Sequence, residues 1–212
     1  MLSTKIGEMK VELARFMRET LRLVALDDYP AQVFLMESGD AGVDWQVAVD
    51  ALYRCVVSDL VTLYPCGDGM EQLSRVEYFE RMSRSDPDAN GTDNWESTKF
   101  WVGTYVVGTA KCVELLAAHG LLNHEVASIL AKGLRQQAAV TPEMYPNRSF
   151  AGASDAISHA DLLERCVEVA VKVSSDQQES ARADGFSRAL QRIFEDCGVP
   201  LRDDPIFQVA SV

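Results

Sequence analysis

Trp45-Gln-Val-Ala-Val-Asp50-Ala-Leu-Tyr-Arg-Cys55-Val-Val-Ser-Asp-Leu60-Val-Thr-Leu-Tyr64 is the stretch that decides the fold. Trp45, Val49, Leu52, Val56, Leu60 and Leu63 recur at the helical period and form one apolar stripe. Val47, Val57 and Val61 lie off that stripe, so the helix is apolar on nearly every side. Such a helix belongs in the middle of a bundle. Asp44 stands where an N-cap is needed, and Pro65-Cys-Gly-Asp-Gly69 supplies the stop, which predicts a helix over 45–64. Asp59 falls at the edge of the stripe. If it is buried, its carboxylate needs a donor or a proton, from the fold or from a partner.

Working outward toward the N-terminus, Ile6, Met9, Leu13, Phe16, Met17, Leu21 and Val24 predict an amphipathic helix over 4–27. Its charged face mixes Lys5, Lys10, Arg15, Arg18 and Arg22 with Glu8, Glu12 and Glu19, the pattern of a salt-bridged surface. Tyr29-Pro30 breaks it, and 31–37 reads as a strand or a helical turn. Toward the C-terminus, helices are predicted at 71–84, 124–138, 158–173 and 177–197. Asn123 caps the second of these, and Ser158-x-x-Asp161 resembles a capping box for the third. Residues 95–119 hold strand formers (Phe100-Trp-Val102, Tyr105-Val-Val107) inside a helical period, and helix is favoured there. The expected fold is therefore mainly α: one helical domain over 1–212 with about six to seven helices. A small sheet near 31–37 and 98–108 would make it α+β. The tail, 201–212, reads as a loosely packed strap.

The chain has 212 residues and a formal net charge of −12. Residues 23–96 hold ten Asp and five Glu against four Arg and no Lys, whereas the first 22 residues are slightly basic. That distribution disfavours nucleic acid and anionic membranes and favours a cationic partner, although a solvated surface is the plain alternative. The five cysteines are widely spaced with no CxxC, which points to reduced thiols in a cytoplasmic protein rather than a disulfide framework. The N-terminal residues show no apolar signal region and no run is long enough to span a membrane.

The sharpest local motif is Asp86-Pro-Asp88-Ala-Asn90-Gly91, the first half of a calcium loop. Oxygen donors at alternate positions wrap a hard cation, and the glycine allows the turn. Position 12 is Ser97 instead of a bidentate Glu, and Asp, Pro, Asn and Gly also make ordinary turns. Calcium on Asp86, Asp88 and Asn90 is thus a minor expectation, and no cofactor is the main one. His119, His124 and His159 lack zinc spacing, and His119 near a helix end reads as a cation facing the dipole. No nucleophile elbow or phosphate loop occurs. The helix–turn–helix outline at 115–134 offers only Lys132 and Arg135 as cations, too few for a DNA reader. Gly103 and Gly108, in an apolar run, suggest close packing or a bend. Trp45 reads as a core anchor and Trp95 as an open case between core and interface.

The strip Ala48–Tyr64, followed by the break Cys66–Gly69, a short helix and the Trp-bearing polar loop Ser85–Trp95, resembles bacterial immunity proteins over roughly 45–101. The resemblance implies a non-enzymatic cytosolic inhibitor that binds a cognate toxin domain. It assigns no residue a role. On charge and expected exposure, the candidate contacts are Asp40, Asp44, Asp50, Asp68, Asp86, Asp88, Asp93 and Trp95. The competing readings are a small helical metal-dependent enzyme using the acidic 86–96 loop, and a helical ligand-binding or scaffold protein.

Overall fold

A computed structural model describes residues 10–41, 44–66, 69–85, 95–140, 153–201 and 206–207. Among these, 71% are helical, in nine helices with one three-stranded antiparallel sheet. The fold is mainly α, and the small sheet held as the alternative is present.

The N-terminal helix is α1 (Val11–Val24), which buries Phe16, Met17, Leu21 and Val24. A two-residue strand, β1 (Tyr29–Pro30), precedes α2 (Gln32–Ala41), so the ambiguous 31–37 segment is helix and the strand lies just before it. The decisive stretch begins as expected. The Asp44 carboxylate accepts the Gln46 N–H at 2.8 Å and caps α3 (Trp45–Val57).

The single helix expected over 45–64 is not what forms. Asp59 adopts φ 58°, Leu60 N–H reaches back to the Cys55 carbonyl at 2.8 Å, and Asp59 N–H to that of Val56 at 3.3 Å. This pair of bonds is a Schellman stop with Asp where glycine is usual. The chain then runs into β2 (Val61–Pro65). Leu60 and Leu63 satisfy a helical period and a short strand equally well. Asp59 is exposed, so the buried-carboxylate question does not arise there.

Ser74 opens α4 (Arg75–Met82) with a reciprocal capping box to Glu77. The 95–119 run divides into α5 (Trp95–Val102), β3 (Thr104–Gly108) and α6 (Ala110–Ala118), so the favoured continuous helix is corrected. β3 is the central strand. It pairs β1 through Tyr29↔Val106 and β2 through Leu63↔Val106. Gly108 must be glycine, because a Cβ there would lie 2.7 Å from Ala25 Cα and 2.8 Å from the Val24 carbonyl. The sheet thus abuts the end of α1. Thr109 N–H and Oγ1 bond the Leu60 and Asp59 carbonyls at 3.0 and 2.6 Å, stitching the two corners together.

α7 (His124–Val140) and α8 (Ala153–Asp176) form a hairpin that packs on α6, and α9 (Glu179–Asp196) closes the core through Phe186, Leu190 and Phe194. Asn123 caps α7 as expected, accepting the Val126 N–H at 3.2 Å. Ser158 does not cap: it lies inside α8 and bonds the Ser154 carbonyl. Asp161 instead meets Arg135 of α7 at 2.5 Å. His119 is the C-cap residue of α6, near the helix end as expected, and burial, with Arg188 nearby, pushes its pKa below the usual range. Trp45 is half-buried and edge-on to the buried Trp101, a core role as expected.

Candidate functional site

The acidic candidates separate. Asp40 is exposed near the end of α2, and Asp44 is exposed but spends its carboxylate on the α3 cap. Asp50 departs from the exposure expected of it. It is 6% exposed and receives the Ile206 and Phe207 N–H groups at 2.6 and 3.4 Å. One turn along α3, buried Arg54 donates to the Val199 and Pro200 carbonyls. Asp50 and Arg54 therefore clasp the C-terminal strap, and Phe207 packs on Tyr53 and Phe79 with ring centroids 5.0 and 5.9 Å away. At 206–207 the strap is anchored rather than loose. Asp68, Asp86, Asp88, Asn90 and Asp93 lie outside the described residues, as does the side chain of Trp95. Among the described residues no group of three His, Cys, Asp or Glu is placed to hold a metal.

What the fold does bring together is a groove of about 620 Å³ between α1 and α7. One wall is Glu19, Arg22 and Leu23 of α1 with Leu26 just past its end; the other is Val126, Ile129 and Leu130 of α7 with Asn123 at its cap. Tyr29 and Glu37 complete the lining. The packed face of α7 carries Ala127, Ala131, Leu134 and Ala138, while Ile129 is left 71% and Val126 45% exposed.

The rim is acidic. Arg22 and Arg18 both engage Glu19, at 3.1 and 2.8 Å, so the cation on the lining is already used. Among the described residues, Asp27 and Glu37 have no ion-pair partner. Burial, reinforced by Asp40 and Glu19, lifts Glu37 above the usual carboxylate range, with Arg15 opposing. Desolvation also lifts Asp27; the Asp28 N–H bond to it opposes the shift and the Asp28 side chain reinforces it. Both groups sit in negative potential that an arriving cation would relieve. A second cavity of about 250 Å³ adjoins the groove, sharing Leu26, Asp27 and Leu130 with it and adding Asp28, Thr62, Tyr64 and His159.

No family model, curated protein or solved structure matches the chain.

Sequence reasoning missed Glu19, Asp27, Glu37, Val126, Ile129 and Leu130 as one site. Asp27 and Glu37 lay inside the acidic run, but nothing in one dimension opposes them to α7. The available signal was on α7, where three alanines share the packed face with Leu134 while Val126 and Ile129 lie outside.

Proposed function

We propose that this chain is an immunity protein that binds and neutralises a cognate, basic bacterial toxin domain by direct contact, without catalysis of its own. The observation that carries this reading is the groove between α1 and α7: an apolar floor, Val126 and Ile129 exposed on one wall, and on the rim the carboxylates Asp27 and Glu37, which have no ion-pair partner among the described residues. Negative potential attracts a basic surface over long range and accelerates encounter, while the apolar floor slows release. Asp40 extends the same rim. The net charge of −12 acts in the same direction, and five free thiols suit a reducing cytoplasm. No described helix is long and apolar enough to cross a membrane.

The test is capture of the purified product of an adjacent toxin-like reading frame, together with survival of toxin-exposed cells that express this chain. A complex that weakens with added salt and a gain in survival are the expected results. No complex at low salt, or no rescue, ends the reading.

A further inference from the structure

Resting on that reading, we infer that the groove receives an amphipathic helix of the partner, apolar face down, with a lysine or arginine of that helix reaching past Leu26 toward Asp27 and Asp28. The α7 wall runs from the cap residue Asn123 through Val126 and Ile129 to Leu130, about 10 Å or two helical turns; the facing wall is the last turns of α1, Glu19 to Leu23, continued by Leu26 just past the helix end. That length and spacing match the i, i+3, i+4, i+7 anchors by which a helix lies in a groove between two others. An extended peptide would instead look for free backbone groups, and these walls present side chains.

Charge selects the occupant further. Asp27 and Glu37 flank the apolar floor without ion-pair partners among the described residues, so an acidic or neutral helix adds no cation beside them. A helix with basic flanks satisfies both. The adjoining 250 Å³ recess shares Leu26, Asp27 and Leu130 with the groove and gives a long cationic side chain a place to end, beside two consecutive carboxylates. Burial pushes His159 below its usual range.

The probe is a synthetic peptide of about 15 residues with leucines at i, i+3, i+4 and i+7 and lysine or arginine elsewhere. Its partner in the comparison is a scrambled peptide of identical composition. Fluorescence anisotropy against the full chain is expected to show saturable binding of the patterned peptide, about tenfold or more tighter than the scramble. Ile129→Asp at an exposed position and Glu37→Lys at a half-buried one are each expected to weaken it about tenfold, whereas Val169→Asp on α8 leaves it unchanged. Equal binding of the two peptides, or indifference to Ile129→Asp and Glu37→Lys, overturns the proposal. The toxin domain separates the two levels. If the wild-type chain forms no toxin complex, the neutralisation reading falls. If the complex forms and is indifferent to both groove substitutions, only the helix-in-groove proposal falls.

Discussion

Replacing Asp50 by Asn and by Ala should have very different consequences. The wild-type carboxylate holds two backbone N–H groups of the strap, and Arg54 lies nearby, yet burial outweighs all three and raises its pKa above the usual carboxylate range. The charge is therefore a net cost in this site. Asparagine removes the charge and keeps a carbonyl oxygen for one of the two amides. The lost bond and the relieved desolvation nearly cancel, and the net change should be within about 1 kcal/mol. Alanine removes both acceptors and leaves the strap amides of Ile206 and Phe207 unpaired, at about 1–1.5 kcal/mol each, or about 2–3 kcal/mol together. Urea denaturation at neutral pH resolves this, because with a slope of about 2–3 kcal/mol per molar the alanine midpoint falls by roughly 1 M. The pH dependence has a definite sign. A carboxyl whose pKa is raised by folding contributes stability below its unfolded pKa and loses it as pH rises through the folded one. The wild-type chain should thus gain on Asp50→Asn as pH drops through the carboxylate range. If Asp50→Asn costs as much as Asp50→Ala at neutral pH, the charge is stabilising and the reasoning is wrong.

Three further outcomes follow from the same geometry. Gly108→Ala should destabilise by about 1–3 kcal/mol in thermal or chemical unfolding, because its new Cβ meets the α1 backbone at 2.7 Å, where no flexible side chain can yield. Asp59→Gly should stabilise by about 0.5 kcal/mol: the left-handed conformation costs an L-residue roughly 1–2 kcal/mol, and glycine's larger unfolded-state entropy returns part of that. Glu37→Gln should raise the melting temperature slightly at neutral pH while weakening partner binding. Its raised pKa means that the ionised group opposes folding above the carboxylate range, and the effect should vanish in acid, where Glu37 is protonated.

Legibility in the sequence followed the range of each interaction. The caps Asp44 and Asn123 act within three residues and were readable as they stand. So was the burial of Phe16, Met17 and Leu21 on one face of α1. The division of 45–64 into helix and strand was not. It turns on one left-handed residue, Asp59, and on β3, the partner for β2, which lies some forty residues further along the chain. Ser158 misled because its spacing to Asp161 fits a cap equally well inside a helix, where a serine bonds its own backbone. Asp50 misled because a charge on a helix reads as exposed until the strap that covers it is in place. The groove was least legible, since its walls come from residues about a hundred positions apart.

The strand order β1-β3-β2 has a consequence for synthesis on the ribosome. The strand that joins the sheet is the last of the three to be made. After Pro65 leaves the exit tunnel, roughly forty residues must follow before Gly108 does, which takes about 2–9 s at ordinary elongation rates. Throughout that interval β2 is a nascent strand with both edges unpaired, the kind of segment that recruits chaperones or aggregates. The Schellman stop at Asp59 forms from local bonds alone and can set the direction of β2 before its partner exists. Synonymous slow codons placed before residue 104 should therefore lower soluble yield, and the same codons after residue 110 should not.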